Sequence, residues 1–192
     1  YNLLLDKDVA ITVNFADVSD GAWYAKAVNT LASLGIVKGI GDGMFAPDRA
    51  ISRAEFAAIA SRFAKASNVG SVSFADVFAD DWFYDPVLTA VSYGWISGYE
   101  DGTFKPTKSI TRQEMAKVLY GYDKIGGKTA EGITEKLTYT DLDAIADWAL
   151  EAVTYCTAEK YLAGSNGAFS PKGTATRAMG AKVLMNMTKE AA

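Results

Sequence analysis

The sequence predicts a mainly α-helical protein built from three helix–loop–helix repeats. Three observations predict this fold class: a set of residues that recurs along the chain, apolar residues at helical spacing inside each copy, and turn-rich loops between the helical segments. One such unit cannot bury both of its apolar helix faces alone. We therefore expect the three copies to form one body with pseudo-threefold symmetry and a central helical bundle around the shared axis.

The first two copies of the repeat are in the same register. Thirteen residue types recur 59 positions further along the chain, as Arg53 does at Arg112. The first series consists of Phe15, Asp17, Val18, Trp23, Gly35, Gly39, Asp42, Gly43, Phe45, Pro47, Ile51, Arg53 and Glu55. Chance does not produce this agreement among Trp, Gly and Pro residues, so the two segments share one fold.

The third copy has diverged from the other two. It departs from the first copy where Lys160 replaces Gly35, Asn166 replaces Asp42, Met179 replaces Glu55 and Gly180 replaces Phe56. We divide the chain into an N-terminal segment outside the repeats (1–14), three repeats (15–73, 74–126 and 139–192) and a linker between the second and third repeats (127–138).

Each copy contains two predicted helices joined by a loop. The first helix begins near the Trp of the repeat, and in copy one Gly35 is predicted to end it in a left-handed conformation. The second helix begins after Ser52 or Thr111, each of which precedes a Glu by three residues, as in a capping box. Thr176 lacks that Glu, so we expect a weaker cap in copy three.

The composition excludes several classes of function. The 192 residues carry a net charge of -4, include no histidine and include one cysteine. A uniformly basic nucleic-acid surface, His-based catalysis and an intrachain disulfide are therefore not expected, and Cys156 is expected to be a small core residue. No apolar run reaches the roughly 20 residues needed to cross a bilayer, so no membrane insertion is expected. We predict no catalytic residues, metal ligands or cofactors.

The repeated motifs resemble the S-layer homology repeat over nearly the whole chain. The resemblance rests on segments such as Phe15-Ala16-Asp17-Val18, Gly39-Ile40-Gly41-Asp42-Gly43-Met44-Phe45-Ala46-Pro47 and Ile110-Thr111-Arg112-Gln113-Glu114. It implies a three-module helical prism that is secreted to the bacterial cell surface. It also implies non-covalent anchoring to a pyruvate-ketal-modified secondary cell-wall polysaccharide. The binding grooves would lie between adjacent modules and use the Arg of the last motif.

Three arginines occupy an electrostatically unusual position. Arg53, Arg112 and Arg177 each follow a helix N-cap, where the helix dipole disfavours a cation. We expect a nearby anion to compensate. In the first interpretation a ligand carboxylate binds the guanidinium together with free helix N–H groups. In the second, an aspartate of another module (Asp17, Asp76 or Asp141) pairs with each Arg. Among the three arginines, Arg112 is expected to matter at least as much as Arg53, and Arg177 least.

The aromatic and glycine candidates also have two interpretations each. Trp23, Trp82 and Trp148 are expected in the core, with sugar stacking as the alternative. Trp95 stands where the first copy has Ile36, so we predict a groove contact for it, and a hydroxyl contact to the saccharide for Tyr84. Gly39 and Gly98 are expected to serve turn geometry, the alternative being close approach to a ligand.

We therefore predict a non-catalytic module that anchors a protein to an anionic cell-wall glycan. One alternative is binding to peptidoglycan itself, as an envelope tether. A second alternative is a structural assembly module in which Arg–Asp pairs join modules or chains without any glycan. A glycan-cleaving enzyme is disfavoured. Asp80 and Asp81 are adjacent carboxylates, but neighbouring residues on a helix or strand do not face each other, whereas glycosidase pairs flank the bond across about 5–9 Å.

Overall fold

The computed structural model describes residues 9–67 and 70–188. These residues contain six α-helices: α1 (Ala25–Ser33), α2 (Arg53–Ala64), α3 (Tyr84–Ser92), α4 (Arg112–Ile125), α5 (Asp147–Ala158) and α6 (Arg177–Asn186). A 3-10 turn at Leu142–Ala144 precedes α5. Within the described ranges there is no β-strand, and the only β pairings are isolated bridges. The predicted helical repeat fold is confirmed.

The second helix of each repeat begins at the predicted N-cap. Ser52 Oγ accepts a hydrogen bond from the Glu55 amide, and the Glu55 carboxylate accepts one from the Ser52 amide, which completes a capping box. Thr111 and Thr176 accept from the amide three residues further on in the same way. At Thr176 the sulfur of Met179 lies 3.5 Å from the Thr176 amide, in place of a carboxylate. Sulfur is the weaker acceptor.

The first helix of each repeat ends in a left-handed residue. Gly35 and Gly94 have φ of 74° and 70°, as expected for a glycine stop. The equivalent residue of copy three, Lys160, has φ of 59° despite carrying a side chain. Left-handed backbone costs a non-glycine residue roughly 1 kcal/mol, so the geometry of this turn is imposed by the fold.

The three repeats close into a ring at equivalent backbone positions. The Ile51 amide donates to the Ala175 carbonyl at 2.9 Å, the Ala175 amide to the Ile110 carbonyl at 3.0 Å, and the Ile110 amide to the Ile51 carbonyl at 2.9 Å. All three residues are buried. Because each residue donates to the preceding repeat around the ring, the pseudo-threefold axis passes between them.

The helices pair between repeats. Helix α2 packs against α3, α4 against α5, and α6 against α1, while α2 also contacts α4 and α6 at the centre. The second helix of each repeat therefore rests on the first helix of the following one, and the third repeat closes on the first. No repeat contains a complete core by itself.

The central core is asymmetric where copy three departs from the repeat. Phe56, Met115 and Gly180 are equivalent residues, and the Phe56 and Met115 side chains are fully buried. A Cβ atom on Gly180 would lie 3.0 Å from Ile51 Cδ1 and 3.6 Å from the Phe56 ring. Phe56 and its neighbours thus use the space that a third side chain would need, which explains the glycine by packing.

The remaining predictions about the chain concern its ends, the linker and Cys156. Residues 1–8 of the N-terminal segment lie outside the described residues, whereas the Thr12 and Val13 amides donate to Ser33 Oγ at the end of α1. The linker after α4 consists of turns and loop, as expected. Cys156 is buried in the core, and burial raises the pKa of its thiol. None of the helices described is long and apolar enough to cross a membrane.

Candidate functional site

The three repeated arginines reach into the loop of the following repeat. Each Nε donates to the carbonyl of a buried phenylalanine at 2.8–2.9 Å, and one Nη donates to a second loop carbonyl. The pairs are Arg53 with Phe104 and Ser97, Arg112 with Phe169 and Ala163, and Arg177 with Phe45 and Lys38. Every arginine therefore holds a neighbouring repeat in place, whatever else it binds.

The N–H groups at the helix N-termini are already hydrogen-bonded. The Arg53 amide donates to the Lys108 carbonyl and the Ala54 amide to the Pro106 carbonyl, both in repeat two. The amides of Arg112 and Arg177 donate to Gly173 and Arg49 in the same way. We expected these N–H groups to be free for a ligand. That expectation is wrong, because carbonyls of the next repeat, in the loop before its second helix, accept their hydrogen bonds.

The three aspartates close their own repeats and do not pair with the arginines. Asp17 accepts from the Phe45 and Ala46 amides at 2.8 and 2.7 Å. Asp76 and Asp141 bind the equivalent amides. No Arg–Asp ion pair forms between these groups in the described part of the chain, which corrects the second interpretation of the arginines. The aspartate carboxylates therefore stabilise the loop within their own repeat.

These loop amides also lower the pKa values of two of the aspartates, Asp17 and Asp141. Burial raises the pKa of Asp17, but the hydrogen bonds from Phe45 and Ala46 outweigh it, and the pKa falls below its usual value. The amide of Phe169 is the main cause that lowers the pKa of Asp141. Both carboxylates therefore stay ionised at neutral pH.

The acidic partners of the arginines are the glutamates of the capping motif. Arg53 Nη1 binds the Glu114 carboxylate, and Arg177 Nη1 lies 3.6 Å from Glu55 Oε1. Sequence reasoning assigned Glu55 and Glu114 to the caps alone and so missed this second role. The sequence did indicate that the glutamate can vary independently of the arginine, because copy three keeps Arg177 but has Met179 where the other copies have the glutamate.

Arg53 is enclosed by protein groups. Its side chain is 3% exposed and lies between the rings of Tyr99 and Phe104, with its guanidinium carbon 4.7 and 4.6 Å from the two ring centroids. All three of its guanidinium nitrogens donate to repeat two. A ligand would have to displace Tyr99 or Glu114 to reach this arginine.

Arg112 is buried without a carboxylate partner in the described residues. The residue is 9% exposed and donates to two carbonyls, and Met179 stands where the other grooves have a glutamate. Burial lowers the pKa of the Arg112 guanidinium, while Tyr139 and Asp141 act in the opposite direction. The side chain remains a cation, since arginine does not deprotonate in proteins.

Arg177, whose side chain is 10% exposed, lines a cleft of about 410 Å³ at the junction of the repeats. Repeat one supplies most of the wall, repeat three supplies Arg177, and repeat two supplies Trp82. The lining residues are Val37, Lys38, Gly39, Ile40, Phe45, Arg49, Ile51, Glu55, Ala58, Ile59, Arg62, Trp82 and Arg177. The Arg177 cleft, as we call this site, therefore combines four cationic side chains with one carboxylate.

The carboxylate of the cleft does not neutralise its cations. Glu55 Oε1 accepts from Arg49 Nη2 at 2.5 Å and lies 3.6 Å from Arg177, while Oε2 caps α2. Arg62 donates to the Ile36 carbonyl at 3.3 Å and forms no ion pair within the described residues. Burial lowers the pKa of Arg177, and Glu55 raises it. The cleft keeps a net positive charge inside a chain whose net charge is -4.

The repeated tryptophans lie at the surface, contrary to the core expectation. Trp23, Trp82 and Trp148 are 52–61% exposed. Trp23 and Trp82 lie edge-on to the following aromatic residue, at ring-centroid distances of 5.1 and 5.4 Å, and that following ring packs on the core instead. The tryptophan is thereby left outside, and Trp82 lines the Arg177 cleft.

Trp95 and Tyr84 do not line the cleft. Trp95 is 2% exposed and stacks on Tyr93 at 5.2 Å, so the predicted groove contact is wrong. The ring is accommodated because Gly121 lies directly against it. Tyr84 is half-buried against the core at the start of α3.

Gly39 and Gly98 are required by side-chain packing. Neither has a positive φ, so left-handed turn geometry is not the reason for them. A Cβ on Gly39 would lie 2.6 Å from the Phe15 ring, and one on Gly98 would lie 2.2 Å from the Phe74 ring. The first aromatic residue of each motif packs flat against this backbone, and Gly39 also lines the Arg177 cleft.

The described residues contain no group of three or more His, Cys, Asp or Glu side chains arranged to hold a metal ion.

The candidate site is a cationic cleft at the junction of three helical repeats. The model of the S-layer homology domain matches residues 14–57, 73–116 and 138–178. The chain belongs to the S-layer homology family, with three tandem repeats.

Several curated proteins are similar to most of this chain. An amylopullulanase of Thermoanaerobacterium thermosulfurigenes is 32% identical over 180 residues, which are 92% of this chain and 10% of that protein. The surface-layer 125 kDa protein of Lysinibacillus sphaericus is 32% identical over 158 residues, which cover 82% of this chain and 13% of that protein. A cellulosome-anchoring protein of Acetivibrio thermocellus is 32% identical over 115 residues, 56% of this chain and 25% of that protein.

The chain thus spans between a tenth and a quarter of these relatives. The family match and the surface-layer relatives agree with the predicted location at the bacterial cell surface.

Proposed function

We propose that this chain is a non-catalytic anchoring module that binds an anionic cell-wall polysaccharide in the Arg177 cleft. The observation that carries the proposal is the charge of that cleft, which is lined by Lys38, Arg49, Arg62 and Arg177 and by the single carboxylate of Glu55. Guanidinium groups bind carboxylates through two parallel hydrogen bonds, so a cluster of them suits an acidic substituent on a sugar.

The shape and lining of the cleft suit a saccharide. Its volume of about 410 Å³ lies within the usual range of ligand sites, roughly 300–1,000 Å³. The exposed indole of Trp82 offers an aromatic face for the apolar side of a sugar ring. A pyruvate ketal on that sugar would place its carboxylate among the arginines.

The comparisons support anchoring over catalysis for this chain. Its relatives include surface-layer and cellulosome-anchoring proteins as well as polysaccharide-degrading enzymes. The matching region is a small part of each of them, and one shared module in proteins of such different names is consistent with a common attachment role.

The ranking of the arginines differs from the sequence expectation. Arg53 is enclosed and Arg112 does not line the cleft, whereas Arg177, with a side chain that is 10% exposed, lies in its wall beside Arg49 and Arg62. We therefore propose that the groove containing Arg177 is the principal binding site.

Alanine substitutions at Arg49 and Arg62 test the proposal. Each should weaken binding to purified wall polysaccharide by about ten- to a hundredfold, since each removes one charge-assisted contact of roughly 1.5–3 kcal/mol. Lys108 occupies the position of Arg49 in copy two and lies outside the cleft, so Lys108→Ala is the matched control. Calorimetric titration gives the affinities. Undiminished binding by both cleft variants with intact folding would contradict the proposal.

The chemistry of the glycan needs a separate experiment. The same polysaccharide should be titrated before and after removal of its pyruvate ketals by mild acid, with peptidoglycan fragments as competitor. We expect binding to be lost when the ketal carboxylate is removed. We expect it to persist in the presence of peptidoglycan fragments. Equal binding after ketal removal would contradict the pyruvylated ligand, and displacement by peptidoglycan would favour the envelope-tether alternative.

The assembly alternative is disfavoured by where the aspartates bind. The Arg–Asp pairs that this alternative needs do not form among the described residues, because Asp17, Asp76 and Asp141 bind loop amides of their own repeats instead. Analytical ultracentrifugation without glycan should give a monomer.

A further inference from the structure

Repeat two carries a second cavity, of about 230 Å³, away from the Arg177 cleft. It lies between the end of α3 and one face of α4. Its lining residues are Tyr93, Gly94, Lys117, Tyr120, Gly121, Lys124 and Ile125, none of which lines the first cleft. We call it the repeat-two pocket.

The repeat-two pocket exists because copy two departs from copy one. Gly121 stands at the position of Arg62, whose side chain in copy one reaches the Ile36 carbonyl. In copy two the corresponding residue is Trp95, and a Cβ on Gly121 would lie 3.0 Å from Trp95 Cα. The absence of a side chain at Gly121 accommodates the indole and leaves open space above it.

Two lysines give the pocket a positive charge. Lys117 replaces Ala58 of copy one, and Lys124 lies seven residues further along α4, on the same side of the helix. Neither forms an ion pair in the described ranges of the chain. The Lys117 amino group lies 3.4 Å from the Trp148 carbonyl, and that of Lys124 lies 5.1 Å from the Tyr120 ring centroid. Both charges remain available to an anion.

An aromatic wall completes the pocket. Tyr93 replaces Leu34 of copy one, is 38% exposed and stacks on Trp95 with an interplanar angle of 15°. Trp95 itself is buried behind Tyr93 and Gly121, which line the pocket, and its Nε1 has no hydrogen-bond acceptor in the described residues.

We infer that the repeat-two pocket is a second saccharide subsite, which binds one acidic sugar residue through Lys117 and Lys124 with Tyr93 as its stacking wall. The assignment of that sugar to the wall polymer rests on the proposed function. The pocket is about half the volume of the Arg177 cleft, which suits a single sugar. Two subsites on one chain would raise the avidity for a repeating polymer without any further contact.

The four indole N–H signals of the intact chain provide the test, because Trp82 lines the Arg177 cleft and Trp95 stacks on Tyr93, which lines the repeat-two pocket. Trp82→Phe and Trp95→Phe assign the two signals in two-dimensional NMR spectra. The probe is a methyl hexoside carrying a 4,6-linked pyruvate ketal, with its uncharged methyl ester for comparison. We expect the acid to shift both signals in a saturable manner and the ester to shift neither at equal concentration.

Substitutions that restore the residues of copy one separate the two sites. Lys117→Ala and Tyr93→Leu should each weaken the Trp95 response about fivefold and leave the Trp82 response unchanged, since each removes roughly 1 kcal/mol of interaction. Lys182 occupies the position of Lys117 in repeat three and lies outside both cavities, so Lys182→Ala controls for net charge.

The outcomes distinguish this inference from the proposed function. A Trp82 signal that shifts while Trp95 stays fixed overturns the second subsite and leaves the first in place. A shift of Trp95 alone supports the pocket and contradicts the Arg177 cleft. If neither signal moves, both proposals are wrong. A Trp95 response that Lys117→Ala and Lys182→Ala weaken equally reflects net charge, and this also overturns the pocket.

Discussion

At the scale of single residues, the recurring glycines and aspartates of the motif serve loop closure. Gly39, Gly98 and Gly164 each lie against the first aromatic ring of their repeat, and a Cβ on any of them would come within 2.2–2.6 Å of that ring. The aspartate two residues after the ring binds two amides of the same loop. These residues recur because the loop has one compact arrangement, and the binding surface is supplied by other side chains.

Replacing one of these glycines should therefore destabilise the fold. We expect Gly98→Ala to lower the free energy of unfolding by about 1–3 kcal/mol, because the added methyl group overlaps the Phe74 ring and the Thr103 carbonyl. Gly21→Ala is the control, since nothing lies within 4 Å of its Cβ position. Urea unfolding measures both. Equal stability of the two variants would contradict the packing explanation.

Two of the loop aspartates, Asp17 and Asp141, should also make stability depend on pH in the acid range. Their folded-state pKa values lie below the ordinary value, so their contribution is present above about pH 4 and is lost as the pH falls through the folded values. Asp17→Asn should lower the urea midpoint at pH 7 and flatten its decline below about pH 4. A parallel decline in the variant and the parent chain would argue against this role.

At the scale of helices and loops, equivalent arginines have unequal surroundings. Arg53 is paired with Glu114 and covered by Tyr99, Arg112 faces Met179, and Arg177 shares Glu55 with Arg49. One motif therefore produces a closed groove, a groove without a glutamate and an open cleft. The residues that differ belong to the neighbouring repeat in each case, so the repeat unit alone does not determine what its arginine does.

This difference predicts opposite phenotypes for two arginines. Arg53→Ala should destabilise the fold by about 3–5 kcal/mol, since it leaves Glu114 and two loop carbonyls without their partner. Arg49→Ala should cost less than about 1 kcal/mol, because this side chain is half exposed, and should mainly weaken glycan binding. Chemical denaturation of both variants measures the change in stability, and calorimetric titration measures the change in glycan binding. A stable Arg53→Ala variant with impaired binding would contradict the assignment.

At the scale of the whole molecule, the cyclic pairing of helices makes the three repeats interdependent. Helix α6 of repeat three packs on α1 of repeat one, and the Ala175 backbone links Ile51 and Ile110 at the axis. Helices α4 and α5 join repeats two and three in the same way. Removing any repeat exposes apolar faces on both of the others.

We therefore expect a single cooperative unfolding transition. Circular dichroism and tryptophan fluorescence should give coincident urea curves. A chain ending at residue 138 should lose cooperative unfolding, because it lacks the partners of α4 and α1. Cooperative unfolding of that shortened chain would indicate that two repeats form an independent body.

The amino-acid sequence by itself determined the helical repeat, its register, the caps at Ser52, Thr111 and Thr176 and the glycine stops at Gly35 and Gly94. These features depend on local backbone preferences and on periodicity, which neighbouring residues in the chain encode directly. It also identified the arginines as the residues with an unusual environment.

Only the tertiary structure decided which arginine lines the cleft, that the repeated tryptophans are exposed and that Trp95 is buried. Each of these outcomes depends on residues of other elements: Tyr99 over Arg53, Met179 beside Arg112, and Gly121 beneath Trp95. Burial and pairing arise from contacts between segments far apart in the chain. A single repeat read by itself carries no information about them.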